Sequence, residues 1–119
     1  MMRFTSLILP ALLLAAPPAF AHAFLKNASP PVGSDLPVSP AEVTITFTEG
    51  VEPAFSTIEV QNAQGQRVDK ADPHLVDGGQ TKLAVNLQKL PPGPYRVIWH
   101  ATSVDTHKTE GSFTFSVSP

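Results

Sequence analysis

Beyond residue 21 no stretch of the chain has helical periodicity, and ten of its thirteen prolines are scattered between short runs of alternating apolar and polar residues. Proline removes a backbone donor and ends helices, whereas alternation of period two gives a strand one buried and one exposed face. Glu42 to Thr48 places Val43, Ile45 and Phe47 on one side and Thr44, Thr46 and Thr48 on the other. Phe55, Ile58 and Val60 mark a second run, ended by the turn residues Asn62-Ala63-Gln64-Gly65. Leu83, Val85 and Leu87 mark another, followed by Pro91-Pro92-Gly93-Pro94. Tyr95, Val97 and Trp99 alternate next, and Phe113, Phe115 and Val117 close the chain. An opening strand near Phe24-Leu25 and a short one at Arg67-Val68 bring the expected count to about seven. That number of short strands between frequent turns predicts an all-β fold, an immunoglobulin-like sandwich or Greek-key barrel. Its core is expected to hold Trp99, Tyr95 and most of the seven phenylalanines. Asp69 to Gln80, the longest polar stretch, is expected to be a mobile surface loop, with His74 as a turn residue.

Residues 1–21 have the pattern of a secretory leader. Arg3 supplies a basic start, Leu7 to Ala16 an apolar stretch, Pro17-Pro18 a helix stop, and Ala19-Phe20-Ala21 a small-residue cleavage site. The apolar stretch is about half of the ~20 residues a membrane-spanning helix needs, and Pro10 interrupts it. Export to the periplasm with cleavage after Ala21 is the expectation, leaving residues 22–119 as one domain. Ala21-His22-Ala23 offers a second A-x-A site, but the proline pair lies closer to the first. The mature segment would carry 7 Lys+Arg against 10 Asp+Glu, a net charge of −3. With no basic stripe, a nucleic-acid partner is excluded. The absence of cysteine excludes disulfides, zinc–thiolate sites, iron–sulfur clusters, thiol nucleophiles and blue-copper centres. Both methionines are at positions 1 and 2, so the mature segment has no thioether ligand either.

The remaining chemistry lies with four histidines: His22, His74, His100 and His107. Cleavage before His22 would free an amine beside its imidazole, and one residue would then chelate a metal through two nitrogens. Asp105 and His107, at spacing i, i+2, share a face if their segment is extended. Amine, two imidazoles and a carboxylate make three nitrogens and one oxygen, a set that suits tetragonal Cu(II), although zinc can use the same donors. His100 alternates with Trp99 and is expected on the outer surface. Ser103, Asp105 and His107 do not read as a hydrolase triad, because alternate residues of an extended segment lie roughly 6.5 Å apart and no oxyanion hole is visible.

His22 with Ala28-Ser29-Pro30 and Gly33-Ser34 opens a series of short motifs, followed by Phe47-Thr48-Glu49-Gly50-Val51-Glu52 with Phe55-Ser56. Leu90 to Val97 with Trp99 comes next, and Ser103, Asp105, His107, Gly111 and Phe113-Thr114-Phe115 end the series. In this order the segments resemble the CopC family of periplasmic copper-resistance proteins. The resemblance implies a cupredoxin-like Greek-key β-barrel that binds one Cu(II) ion through His22, Asp105 and His107, with Glu49 at its periphery. It further implies a role in copper homeostasis or resistance, an inner-membrane copper transporter of the CopD type as partner, and no enzymatic activity. Some members hold Cu(I) in a methionine-rich loop. The matching region here, around Asn62 to His74, has no methionine, which marks a Cu(II)-only member. A monomer without a small-molecule substrate is expected. Two alternatives frame this reading. The N-terminal chelate also resembles the histidine brace of lytic polysaccharide monooxygenases, but those are longer, and Asp105 would fill a position that oxygen activation needs open. A metal-free immunoglobulin-like interaction module would leave the histidine placement as coincidence.

Overall fold

The computed structural model describes residues 22–119, so the expected leader lies outside the described residues. Eight strands are found there: β1 (Leu25–Ser29), β2 (Asp35–Leu36), β3 (Glu42–Phe47), β4 (Thr57–Gln61), β5 (His74–Leu75), β6 (Lys82–Asn86), β7 (Gly93–Thr102) and β8 (Lys108–Val117). A single 3-10 turn at Pro53–Phe55 precedes β4. The strands form two four-stranded sheets, ordered β1-β3-β6-β5 and β2-β8-β7-β4, and thus the all-β sandwich expected from the alternating runs. Pairing is antiparallel throughout except between β2 and β8, which run parallel.

The pattern of burial follows the alternation. Val43, Ile45 and Phe47 are buried, as are Ile58 and Val60, Leu83 and Val85, and Tyr95, Val97 and Trp99. In β3, β4 and most of β7 and β8 residues of one parity face the opposite sheet, while β6 also buries Ala84 between Leu83 and Val85; burying these side chains supplies the main driving force for folding. In this core Phe47 meets Trp99 edge-on at 5.3 Å between ring centroids, and Tyr95 stacks on Phe115 at 5.5 Å. The Tyr95 hydroxyl, whose ring is buried, donates to the Pro91 carbonyl at 2.5 Å. A buried phenol needs such a partner to recover its lost hydration.

The expectation that most phenylalanines would be inward is corrected. Phe47, Phe113 and Phe115 are buried, but Phe24 is 53% and Phe55 71% exposed. Phe55 lies in the 3-10 turn and not in β4, so strand alternation does not govern where it points. The strand at Arg67-Val68 is reduced to a single bridge, Gln61 with Arg67, and β2 and β5 are strands that alternation did not reveal. Each has two residues, too few to show a period, and exists because a neighbour's edge accepts it.

Nor is the polar segment after Asp69 simply a free loop. The buried Asp69 carboxylate accepts the Val60 N–H at 2.8 Å, the Ala71 N–H at 3.0 Å and the Arg67 Nε–H at 2.9 Å. Asp72 receives the Asn86 backbone N–H at 2.8 Å, and His74 pairs with Ala84 as part of β5. Buried carboxylates persist only with such partners, and this network ties the segment to both sheets.

The longest pairing joins β7 to β8 over ten residue pairs, from Gly93–Val117 to Thr102–Lys108. Near its middle Trp99 lies opposite Gly111. A Cβ at residue 111 would come within 2.6 Å of the indole ring, so glycine is what allows the tryptophan to lie across the neighbouring strand. Gly111→Ala is therefore expected to destabilise the fold by about 1–3 kcal/mol, the usual cost of overpacking. Thermal denaturation checks this; an unchanged midpoint would mean that Trp99 moves aside freely.

Candidate metal centre

The β7–β8 connection, residues 103–107, is a tight turn at one end of the sandwich. The Ser103 N–H donates to the His107 carbonyl at 2.9 Å, and the Thr106 N–H to the Ser103 carbonyl at 2.8 Å. The turn is tied to the segment after β3: Val51 bridges Ser103, and the Val104 N–H donates to the Gly50 carbonyl at 3.0 Å. Thr106 has φ +75°, a left-handed conformation that a β-branched residue adopts only under constraint, at a cost of about 1–3 kcal/mol.

This geometry corrects the extended reading of the segment. Asp105 and His107 come together through a turn and not through strand pleating: Asp105 Oδ1 lies 3.3 Å from His107 Nδ1, with both side chains 43% exposed. The Ser103 hydroxyl also donates to Asp105 Oδ1, a contact that the extended geometry ruled out. The three residues still do not form a hydrolase triad. The hydroxyl is directed at the carboxylate, and it accepts the backbone N–H of His107 at 3.1 Å instead of facing that imidazole as a base.

His22 reaches this turn from the other side. Ala23 is fully buried, and its carbonyl accepts the Thr109 hydroxyl at 2.5 Å. Thr48, just past β3, holds both neighbours of Ala23. Its hydroxyl donates to the His22 carbonyl at 3.1 Å and accepts the Phe24 N–H at 3.0 Å, and its own N–H donates to the Phe24 carbonyl at 2.8 Å. Residues 22–24 thus lie as an extended piece between the end of β3 and the start of β8. Ala23 points inward and the rings of His22 and Phe24 lie 5.7 Å apart. The His22 and His107 ring centroids are 4.8 Å apart, tilted by 36°. With metal–nitrogen bonds of about 2 Å, two imidazoles on one ion have centroids roughly 4.5 Å apart at right angles and roughly 6.3 Å apart when opposed. The observed spacing falls inside that range, near its right-angled end.

The structure therefore brings His22, Asp105 and His107 to one end of the sandwich. Among the described residues no three His, Asp or Glu side chains close into a cage by themselves. Glu49 is an exposed neighbour of Gly50, whose carbonyl anchors the turn. His100 is outside this group, on the outer face of β7 with Nε2 3.8 Å from Glu110. His74 is elsewhere too, its Nδ1 2.7 Å from the Asp72 carbonyl on the other sheet. Sequence reasoning missed Thr48, Ser103 and Thr109 as supports. Their only sequence signal is a hydroxyl at the end of a run, which many turns share.

The Ser103 hydroxyl, helped by His107, holds the Asp105 carboxyl below its ordinary value of 3.8 despite some opposing desolvation. A group depressed on folding contributes stability that is present above its unfolded value and is lost as pH falls through its folded value. In the metal-free protein, Asp105 is expected to titrate below 3.8, read from its carboxyl ¹³C shift; a titration at or above 3.8 contradicts the hydroxyl contact. A second expectation concerns the turn. Asparagine tolerates the left-handed region better than threonine, so Thr106→Asn should stabilise the metal-free fold by about 1 kcal/mol in urea denaturation. A destabilised variant would show that the turn carries no such strain.

Comparison with known proteins matches residues 25–118 to the CopC domain. Protein YobA of Escherichia coli K12 is 36% identical over 105 residues, covering 87% of this chain and 85% of the relative. Copper transport protein CutJ of Bacillus subtilis is 39% identical over 100 residues, covering 83% of this chain but only 18% of that longer protein. Among solved structures, CopC from Methylosinus trichosporium OB3b superposes with a TM-score of 0.78 at 33% identity, covering 82% of this chain and 95% of that one. With nearly all of residues 22–119 inside the match and the same two-sheet sandwich, this chain belongs to the CopC family.

Proposed function

We propose that this protein is a periplasmic Cu(II) carrier that loses residues 1–21 on export and binds one ion. The ligands are the His22 amine and imidazole, the Asp105 carboxylate and the His107 imidazole. The observation that carries this reading is the 4.8 Å approach of the His22 and His107 rings, with the Asp105 carboxylate 3.3 Å from His107. Donors of nitrogen and oxygen without sulfur favour Cu(II), which stands highest among divalent ions in affinity. CopC and the copper transport protein CutJ, to which the chain is similar, support copper as the cargo.

Cleavage before His22 suits the packing better than cleavage after Ala23. Ala23 fills a buried position and its carbonyl is paired with Thr109, so removing it would open the core and orphan that hydroxyl. It is also what turns the residue 22 nitrogen from a peptide amide into a basic amine. Copper handling then serves sequestration, delivery or resistance, with a membrane transporter of the CopD type receiving or supplying the ion. The role is binding and not turnover, because Asp105 takes a coordination position that an oxygen-activating copper centre leaves open. With methionine at positions 1 and 2 alone, the mature protein has no soft donors for a separate Cu(I) site.

The intact mass of the secreted protein, measured metal-free and with Cu(II), tests cleavage and stoichiometry together. The expected chain starts at His22 and takes up one copper; a chain starting at Phe24 contradicts the donor set. An added N-terminal Met should weaken Cu(II) binding by more than about 100-fold, the upper end of what losing a mere supporting contact costs. Quenching of Trp99 emission in a competition titration reads this out. Binding as tight as that of the native chain would refute the role of the amine. Protons compete for the nitrogen donors, so affinity should fall as pH is lowered from neutrality.

A further inference from the structure

We propose that Ser103 is a positioning residue for the copper site: its one hydroxyl holds Asp105 and His107 in the arrangement that receives the ion. This rests on the Cu(II) reading above and assigns a role to a residue outside the ligand set. Ser103 is 1% exposed and bridges the buried Val51, so it is fixed to the body of the sandwich and not to the exposed tip of the turn. Its Oγ donates to Asp105 Oδ1 and accepts the His107 N–H at 3.1 Å, joining the carboxylate of one ligand to the backbone of the other. The Oγ also lies 3.3 Å from the His107 carbonyl. A hydroxyl has one proton, and the ionised carboxylate is the stronger acceptor, so the proton is directed to Asp105.

The consequence is chemical as well as steric. A carboxylate whose Oδ1 is held by a hydroxyl is restrained from turning, so it is presented beside the His107 ring in one orientation before an ion binds. Holding a donor in place in this way lowers the ordering cost of binding. The backbone of the turn is held by its own hydrogen bonds, whereas the half-exposed Asp105 carboxylate has the Ser103 hydroxyl as its tie to the buried body of the sandwich, beside its contact with His107.

Ser103→Ala and Ser103→Thr, each with the native His22 terminus, test this beside wild type and Asp105→Ala. Removing such supporting hydrogen bonds typically lowers metal affinity by 10–100-fold, and Ser103→Ala is expected to weaken Cu(II) binding by about that factor. Ser103→Thr, which retains the hydroxyl, should restore it. At saturating copper, the electron paramagnetic resonance spectrum of Ser103→Ala should shift towards that of Asp105→Ala, whereas a purely structural loss would leave the bound spectrum like wild type. If Ser103→Ala binds as wild type does while Asp105→Ala is weakened, the role of Ser103 is overturned and the copper site stands. Weakened binding in Ser103→Ala with an unaltered spectrum, or no restoration by threonine, also overturns it. If wild type takes up no Cu(II), the proposed function falls and this inference falls with it.

Discussion

The register between β7 and β8 decides most of what this molecule can do. Ten consecutive residue pairs hold it, and its centre admits only one arrangement, because the Trp99 ring lies over the Cα of Gly111. A slip of one residue would turn every side chain of one strand to the opposite face and remove Phe113, Phe115 and Val117 from the core. At one end, this register gathers the strand ends around Ser103 to His107. Its opposite end pairs Gly93 with Val117, beside the Tyr95 ring that stacks on Phe115. The hydrophobic core thus sets the frame in which a surface turn is held.

Hydroxyl side chains complete the site. Thr48 and Thr109 seat residues 22–24, and Ser103 links Asp105 to His107 within the turn. Each bond is modest by itself, of the order of 1 kcal/mol net. Together they settle where the three side chains of the proposed copper site lie. Donors ordered in advance would reduce the entropy that binding otherwise loses. The left-handed Thr106 belongs to the same picture, since backbone strain of this kind persists where surrounding bonds over-determine it.

Legibility from sequence followed the strength of the periodic signal. Val43, Ile45 and Phe47 were readable as a buried row because six residues of β3 repeat the pattern. Two-residue strands such as β2 and β5 contain no period, and Phe55 was misread because one turn of 3-10 helix breaks the alternation just before β4. Asp69 looked like the start of a polar loop, yet it is buried, since its carboxylate is held by the Val60 N–H of β4 as well as by its near neighbour Arg67. Donor chemistry and family resemblance together singled out His22, Asp105 and His107, and what the structure adds is their nearness. The premise of an extended segment was wrong in geometry although it selected the residues that the turn brings near one another.

By itself the sequence determined the composition of the two faces of each long strand, the absence of sulfur ligands beyond residue 2 and the chemical types of the candidate donors. These are local properties, set by period, residue type and spacing. Only the tertiary structure decided that residue 22 lies beside residue 107, that Ser103 faces Asp105, and that His74 and His100 are held elsewhere. Those relations depend on strand register and on hydrogen bonds between residues as far apart as Ala23 and Thr109. No local pattern encodes such a distance, because it is fixed when the whole core packs and residues 22–24 are seated beside the β7–β8 turn.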